Sequence, residues 1–375
     1  MRIAHISDCY LPRTGGIELQ VRGLSQAQKR AGNSPEIITA TPAARGQAVI
    51  AGETDDGVPI HRLAVDLPAS LPVTPHVGKR LTDLLADVDV VHVHGGLISV
   101  FAWPALRAAV KAGKPAVVSV HSVWSGWSGV FGATNLLTGW RSWPVIWTGV
   151  SDVAAEPMRE ALGGRQEVRI LGNGIDVERW KPEKPVHKNT DEITIVTVQR
   201  LAIRKRGLAL VEILEQARAL IPASVNVRAV IIGDGPDRNR IESALDHKGM
   251  GWVTCAGWQN HDQIREHYRN ADIYICPTLL ESFGIAALEA RTSGLPVVAL
   301  ANSGVNSFIT DGVEGLLERD DAGLAYALSR LSTDDALRRK ITTHNRTVEP
   351  PFGWPTILDE ATSCYEAAIA LRAKK

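Results

Sequence analysis

Two carboxylates, Glu281 and Glu289, stand eight residues apart in the segment PTLLESFGIAALE, residues 277–289. The segment follows the apolar run Ile273–Cys276, which predicts a strand, and its second half predicts a helix that Gly284 opens. Ligands of open α/β sheets bind at the carboxyl ends of strands, where a helix N-terminus favours an anion. Glu281 then lies in the loop and Glu289 about two turns on, so one carboxylate can accept hydrogen bonds from sugar hydroxyls while the other reaches a ribose. A helix-capping carboxylate is the competing interpretation of Glu281.

A cluster of cations follows another predicted strand, Ile193–Val198, in the segment RLAIRKRG, residues 200–207. It contains Arg200, Arg204, Lys205 and Arg206. Cations are not favoured at a helix N-terminus, because the helix dipole is already positive there. A bound polyanion would relieve that conflict, so we interpret the cluster as an anion site. A solvated, basic helix start is the alternative.

Glycines occupy two further loops between a predicted strand and a predicted helix. Gly15 and Gly16 follow the first strand and would suit a backbone cradle for phosphate. Gly233 lies in IIGDGP, a turn of the kind that borders nucleotides. Each signal is weak alone, since a tight turn explains these glycines about as well.

Three histidines lie near the ends of predicted buried strands, in VVHVHGG and VVSVHSVW. We take His121 as the first candidate for a ligand contact, ahead of His92 and His94. A metal site at His92 and His94 is disfavoured, because no carboxylate stands in register with them. Asp87 and Asp89 spell a D-x-D metal motif, but they stand at the start of a strand, where ligands are rarely placed.

The composition is that of an ordinary globular protein. Of 375 residues, 45% are hydrophobic, and Lys plus Arg equals Asp plus Glu at 41 each, which gives no support for nucleic-acid binding. The four cysteines show no C-x-x-C spacing and indicate reduced thiols. The first residues are too short and too polar for a secretory signal, and no apolar run could span a bilayer. We therefore expect a cytoplasmic protein.

Alternating strand-like and helix-like segments predict two doubly wound α/β domains. The polar stretch Val177–Glu192 interrupts this alternation and predicts the interdomain linker. The chain is expected to be helical after Asp321, apart from a break at Glu349–Pro355. Further strands are predicted at Arg2–Ser7, Glu36–Ala40, Val88–His92, Ala116–Val120, Val145–Thr148, Glu167–Leu171, Val227–Ile232, Trp252–Cys255 and Pro296–Ala299.

Tryptophan is unusually common: there are ten, and five fall between Trp124 and Trp147. Two interpretations of this stretch are equally open. It packs as a core under a long loop, or it forms an acceptor platform or a membrane-facing patch, since Trp favours interfaces.

Taken in order, these motifs resemble glycosyltransferase family 4, a retaining group with the GT-B fold. The resemblance covers essentially the whole chain. It is carried by these segments: Gly15-Gly16, VVHVHGG, VSVHS, Asn173-Gly174-Ile175-Asp176, Arg200 with Lys205, IIGDGP and ESFGIAALE. The last matches the E-x7-E signature of the family through Glu281 and Glu289.

The resemblance implies a fold and an organisation: two Rossmann-like domains facing a cleft. Residues 1–180 would form the acceptor domain and residues 181–352 the nucleotide-sugar donor domain. Residues 353–375 would form a helix that crosses back to the first domain.

The resemblance also implies roles. Arg200 and Lys205 would bind the donor diphosphate, Glu281 the sugar hydroxyls and Glu289 the ribose. His121 would lie beside the donor sugar. The remaining donor contacts would come from backbone groups at Gly15, Gly16, Gly233, Phe283, Gly284 and Ile285.

The expected activity is metal-independent hexosyl transfer with retention, from a UDP- or GDP-sugar and without a cofactor. The sequence does not identify the acceptor, which is either a lipid-linked or a small polar molecule. It equally leaves open whether the protein contacts the inner face of a membrane peripherally. Two departures from the family, Gln199 in place of Gly and Ser303–Ser307 in place of Gly-Gly-x-x-E, bear on donor specificity. The rivals are a sugar-nucleotide epimerase on the same fold, which the ESFG string disfavours, and a non-catalytic sugar-nucleotide binding protein.

Overall fold

The structure is a computed structural model, and it describes residues 1–13, 15–42, 52–63, 77–96, 99–124, 134–135, 138–182 and 192–374. The chain divides into two compact units. Unit 1 comprises Met1–Ile175 and Phe352–Lys375, and unit 2 comprises Asp176–Pro351. In the part of the chain that the structure describes, no helix combines the length and the apolar character that a membrane span requires.

Unit 1 is built on one sheet whose central strands are parallel. In spatial order the strands are β3 (Thr54–Asp55), β4 (Val58–Arg62), β2 (Ser34–Thr39), β1 (Arg2–Ser7), β5 (Val90–Gly95), β6 (Ala116–Val120), β7 (Val145–Gly149) and β8 (Val168–Ile170). Only the edge pair β3–β4 is antiparallel among the described pairings. Every residue of β5 and β6 is buried, as expected for strands covered on both faces.

Helices cover both faces of this sheet. The described helices of unit 1 are α1 (Gly16–Arg30), α2 (Val77–Leu85), α3 (Ala102–Lys111), α4 (Asp152–Leu162) and α12 (Trp354–Ala373). Phe101, Leu106 and Met158 join the core on one face. On the other face Ile357 and Tyr365 of α12 pack against the sheet. The C-terminal helix therefore belongs to the core of unit 1.

Unit 2 contains an all-parallel sheet in the order β11 (Val253–Gly257), β10 (Asn226–Ile232), β9 (Glu192–Val198), β12 (Ile273–Cys276), β13 (Val297–Leu300) and β14 (Gly315–Glu318). Its described helices are α5 (Val177–Trp180), α6 (Gly207–Leu220), α7 (Arg238–His247), α8 (His261–Asn270), α9 (Ile285–Thr292), α10 (Asp321–Thr333) and α11 (Asp335–Thr347). Parallel strands need crossover connections, and here helices supply them. Every loop that follows a strand therefore reaches the same edge of the sheet.

The predicted doubly wound α/β architecture is confirmed, with three local differences. Strands β3, β4 and β14 were not predicted, because each is a short element at or near a sheet edge. The predicted strand Val88–His92 is observed at Val90–Gly95, so His94 lies inside the sheet. The predicted linker begins with a short helix, α5, inside unit 2, while its residues 183–191 lie outside the described residues.

Gly233 offers a test of how tightly the loops of unit 2 are fitted. Its φ is 135°, and an added Cβ would lie 1.9 Å from the carbonyl oxygen of Gln199. Gly249 also has positive φ, 63°, but nothing lies within 4 Å of its Cβ position. Gly249→Ala should therefore cost only backbone strain, about 1–2 kcal/mol. Gly233→Ala adds a clash with backbone and should cost roughly 3 kcal/mol or more.

Urea unfolding of the two variants and the parent chain measures both losses. Equal losses would show that the loop after β10 yields to accommodate a methyl group, and that it is not held against Gln199.

Candidate functional site

Three loops meet at the carboxyl edge of the unit 2 sheet, because β9 pairs with β10 on one side and β12 on the other. The loop after β9 is bound to the loop after β10 by backbone hydrogen bonds: Leu201 N–H donates to Asp234 O at 2.9 Å, and Asp237 N–H donates to Leu201 O at 2.9 Å. The weak IIGDGP motif is thus a neighbour of the cationic segment. Side chains complete the connection to the loop after β12.

Lys205 and Glu281 form an ion pair across two of these loops, with Nζ and Oε2 2.5 Å apart. The Glu281 side chain is 13% exposed and that of Lys205 is 34% exposed. Burial would lower the pKa of Lys205, but the Glu281 carboxylate outweighs it, so the pKa of Lys205 is raised. The structure thus brings together the two residues expected at the diphosphate and the sugar.

The cations stand just before a helix N-terminus, as the sequence indicated, and Arg206 is the N-cap residue of α6. A 3-10 turn, Ile203–Lys205, separates Arg200 from α6, which begins at Gly207. Arg206 donates to Pro277 O at 2.8 Å and to both oxygens of Asp321, at 3.0 and 2.7 Å. Its charge is therefore compensated by protein and braces the loop after β9 against the loop after β12. Arg200 and Arg204 are exposed.

The Glu281 loop is shaped by two glycines. Gly284 caps α9 with φ 93°, and an added Cβ would approach Val305 Cγ2 to 2.8 Å. Gly304 donates its N–H to Glu281 O at 2.7 Å, and a Cβ there would lie 2.2 Å from Ser282 O. The segment Ser303–Ser307 is therefore packed against the Glu281 loop, although its sequence departs from the family pattern.

The start of α9 offers backbone N–H groups to a ligand, whereas the side chain of Phe283 just before it is buried in the protein. Phe283 is buried and its ring lies 5.3 Å from that of Phe308. The first N–H groups of a helix, here from Ile285 on, have no intrahelical acceptor. No side-chain cap is seen at this helix, so the capping interpretation of Glu281 has no support.

Glu289 lies inside α9 and is 8% exposed. Burial raises the pKa of its carboxyl to about 8, and the nearby Arg179 only partly opposes this. The side chain is thus largely neutral at pH 7 in the ligand-free protein. It is the fifth residue of α9, about one turn into the helix.

In unit 1, Gly15 and Gly16 stand where α1 begins, after β1. An added Cβ at Gly15 would lie 2.7 Å from Glu18 Oε2, so a carboxylate fills the space beside this turn. A phosphate cradle at these glycines stays a prediction.

His121 follows β6 directly, and its backbone N–H donates to the carbonyl oxygen of Gly95 at 3.0 Å. Burial lowers the pKa of His121 to about 4, so its ring is neutral. Two groups that the sequence did not single out lie at the same carboxyl edge: Asp8, after β1, and Ser122. Among the described residues, Asp8 Oδ2 and Ser122 Oγ are buried without a hydrogen-bond partner. The position of Asp8 at a strand end was the available signal.

The Trp-rich stretch divides between core and cavity wall. Trp124, Trp140 and Trp147 are buried in the core of unit 1, which supports the packing interpretation for these three residues. Trp127 lies outside the described residues. A cavity of about 400 Å³ is nevertheless lined by Trp103, Pro104, Leu106, Arg107, Trp124, Thr134, Thr138, Trp140, Trp143 and Trp147.

Asp87 and Asp89 lie at the opposite edge of the unit 1 sheet from His121. Asp89 accepts a hydrogen bond from Arg2 N–H at 2.7 Å, and Asp87 lies 3.6 Å from the Arg2 guanidinium. Both carboxylates thus tie down the N-terminal strand, in agreement with the interpretation of D-x-D as accidental.

Comparison with known proteins gives consistent matches over both units. Residues 14–179 match the family described as Glycosyltransferase Family 4, and residues 178–348 match Glycosyl transferases group 1. An uncharacterized glycosyltransferase of Methanocaldococcus jannaschii is 26% identical over 99% of each chain. The phosphatidyl-myo-inositol mannosyltransferase of Mycobacterium leprae is 24% identical over 100% of this chain and 99% of its own length.

Among solved structures, Anabaena HepE in complex with UDP and glucose superposes with a TM-score of 0.74 at 16% identity, covering 97% of this chain and 99% of its own. At that identity the likeness concerns the fold.

The pH dependence of stability tests the buried state of Glu289. Its ordinary pKa is 4.5 and its folded pKa is about 8. A raised carboxyl pKa gives stability that is fully present below pH 4.5 and is lost as the pH rises towards 8. Relative to Glu289→Gln, which cannot titrate, the parent should therefore lose up to a few kcal/mol of unfolding free energy between pH 5 and 9. If the difference in unfolding free energy between the parent and Glu289→Gln stayed the same at every pH, Glu289 would not be buried and neutral.

Proposed function

Because this chain belongs to glycosyltransferase family 4 and has the GT-B fold, we propose that it transfers a hexose from a nucleotide diphosphate-sugar with retention and without a metal ion. The observation that carries this proposal is the Lys205–Glu281 pair at the carboxyl edge of the unit 2 sheet. In this pair a cation suited to bind a diphosphate, Lys205, lies beside a carboxylate suited to accept hydrogen bonds from sugar hydroxyls, Glu281.

The leaving group is met by positive charge from the protein in this proposal. Lys205 and the exposed Arg200 would contact the diphosphate together with the N-terminus of α9. Charge that develops on the leaving phosphate would then be stabilised without a cation. The leaving diphosphate would take the proton of the acceptor in a same-face displacement at the anomeric carbon, with no covalent enzyme intermediate.

Glu289 would bind the ribose in the same arrangement. Hydroxyl donors favour the charged form of a carboxyl, so a bound ribose would lower the raised pKa of Glu289 and release a proton. The choice between UDP- and GDP-sugars stays open; the UDP bound to HepE supports the first.

The Trp-lined cavity supports an acceptor that carries an apolar chain. The ring of Trp103 comes within 3.0 Å of the Cβ position of Gly95, the residue whose carbonyl holds His121, so the cavity borders the strand end expected to be catalytic. Among the described residues, Trp103 Nε1 and Trp147 Nε1 are buried without a partner and would donate to a ligand oxygen. The name of the Mycobacterium leprae relative points to a lipid acceptor for that enzyme.

A transfer assay tests the proposed function directly. The chain is mixed with UDP-glucose or GDP-mannose, excess EDTA, and alkyl glycosides of one sugar that differ only in chain length. We expect turnover in EDTA, an α-linked product by NMR, and a lower KM for the longer chains. A β-linked product contradicts retention, loss of activity that Mg²⁺ or Mn²⁺ restores contradicts metal independence, and nucleotide-sugar conversion without an acceptor favours the epimerase.

Removal of the Lys205 ammonium separates catalysis from mere binding. Contacts to a leaving phosphate strengthen in the transition state, so they lower the barrier more than they tighten the substrate. Lys205→Ala should therefore lower kcat by about two to three orders of magnitude, with a much smaller loss of donor affinity. Lys205→Arg should rescue only in part, because a planar fork cannot replace a compact charge.

Glu281→Gln should cost about ten- to a hundredfold in kcat, from the loss of a charged acceptor. Because Lys205 and Glu281 are in contact, the double variant should lose less than the product of the single losses. Lys248→Ala, which breaks another Lys–Glu pair of unit 2 at 2.7 Å, is the matched control. Unchanged kcat with weaker donor binding in Lys205→Ala would mean that the lysine only holds the ground state.

A further inference from the structure

A continuous chain of hydrogen bonds runs through the interior of unit 1 and ends at His121. Its members, in order, are Thr148, Ser119, His92, Tyr365, Gln28, His5, His94 and His121, joined by seven contacts of 2.7–3.1 Å. All except His121 are buried. Eight polar side chains in one apolar core are costly unless every one is satisfied, and here each link satisfies the next.

The first half of the chain has a fixed direction. Thr148 donates its hydroxyl proton to Val118 O at 3.0 Å, so it must accept from Ser119. Ser119 has then spent its proton and accepts from His92 Nε2–H. Burial lowers the pKa of His92 well below its ordinary value, so the ring carries one proton. His92 Nδ1 is therefore unprotonated and accepts from the Tyr365 hydroxyl.

The second half continues in the same direction. The Gln28 amide NH₂ donates to the Tyr365 oxygen at 2.8 Å, and Gln28 Oε1 accepts from His5 Nε2–H at 2.7 Å. Burial lowers the pKa of His5 to about 4 and that of His94 well below its ordinary value, so both rings are neutral. His5 Nδ1 accepts from His94 Nε2–H, and His94 Nδ1 then accepts from His121 Nε2–H.

Only one other arrangement gives every link a proton and every hydroxyl proton an acceptor. It reverses the whole chain, which requires the Gln28 amide to rotate by half a turn and Thr148 to leave Val118 O. Reversal of the first half alone would leave the Tyr365 hydroxyl proton without an acceptor. Reversal of the second half alone would require the single Tyr365 proton to serve both His92 and Gln28. The chain is therefore a two-state element, and Gln28 and Thr148 select its direction.

A metal ion at the histidines is incompatible with this chain. Ring nitrogens of His5, His92 and His94 lie within 4.8 Å of one another, which is the spacing of a candidate site. Yet both ring nitrogens of each of these three residues already make a hydrogen bond to protein. A metal would have to break the chain in order to bind.

We propose that this chain fixes His121 as the tautomer protonated on Nε2. Nδ1 is then the ring atom that accepts a hydrogen bond from a hydroxyl of the sugar that the family resemblance places beside His121. Tyr365, Gln28, His5 and His94 are then positioning residues that act through His121. A neutral ring whose Nδ1 lone pair makes no hydrogen bond to the described residues selects a hydroxyl and disfavours phosphate or carboxylate oxygens, which cannot donate. The sugar as the source of this hydroxyl rests on the proposed function, whereas the tautomer does not.

The tautomer is measured on the full chain, labelled with ¹⁵N-histidine and without ligand. Nitrogen shifts distinguish protonated from unprotonated ring nitrogens. We expect one His121 form at pH 7, with Nε2 protonated and Nδ1 not. A proton on Nδ1, or a doubly protonated ring, overturns the proposal whether or not the chain proves to be a glycosyltransferase.

Tyr365→Phe tests whether the chain sets this state from a distance. The variant removes one hydroxyl, frees the Gln28 amide to rotate, and should populate the second tautomer of His121. Tyr10→Phe is the matched control, since it removes another buried hydroxyl of unit 1, bonded to Asp55 at 2.8 Å. Unchanged His121 shifts in Tyr365→Phe would overturn the positioning role. Thr148→Val probes the other end of the chain in the same way if Tyr365→Phe does not fold.

The choice of hydroxyl is tested with sugar analogues. Donors in which one hydroxyl at a time is replaced by fluorine can accept but not donate. One such analogue should lose about tenfold in kcat/KM in the parent and little in His121→Ala. If a fluorinated acceptor shows this pattern instead, the hydroxyl belongs to the acceptor and the donor assignment is wrong. If no analogue of either kind shows it, Nδ1 does not contact a sugar hydroxyl.

Discussion

The position of β9 between β10 and β12 is the constraint on which the candidate site depends. Parallel pairing on both sides sends the loops after these three strands to one edge of the sheet. Backbone hydrogen bonds then fix the loop after β9 against Ile232 and Asp234, and there is no space for a Cβ at Gly233 between them. Residues that lie up to 76 positions apart in the chain, Lys205 and Glu281, can therefore meet at 2.5 Å.

Two of the cations at this edge of the unit 2 sheet are held in fixed positions by carboxylates. Arg206 pairs with Asp321 and a loop carbonyl, and Lys205 pairs with Glu281, so both are held in place before a ligand arrives. Pre-organised groups of this kind need no rearrangement as charge develops in a reaction. The buried carboxyl of Glu289 adds a group that is neutral when free and favours ionisation when hydroxyls approach it.

Unit 1 follows a different rule, because its core is polar along the strands that lead to His121. Histidines at the centre of a parallel sheet are tolerated since each is neutral and fully hydrogen-bonded. The C-terminal helix closes this network through Tyr365. Its return to unit 1 therefore fills the core and also connects the two halves of the hydrogen-bond chain.

Strand–helix alternation and the E-x7-E spacing of Glu281 and Glu289 were determined by the sequence alone, because hydrophobic period and residue spacing are local properties. The same holds for the family, whose motifs stand in order along the chain. The partner of each side chain was decided only by the tertiary structure. Four cations in RLAIRKRG look alike in sequence, yet Arg206 is a brace, Lys205 is paired and Arg200 is exposed. His5 carried no signal at all, since it becomes part of a network only when β1, β5 and the C-terminal helix pack together. Hydrogen bonds between side chains depend on distances of a few ångströms between residues far apart in the chain. The spacing of residues along the sequence does not predict such distances.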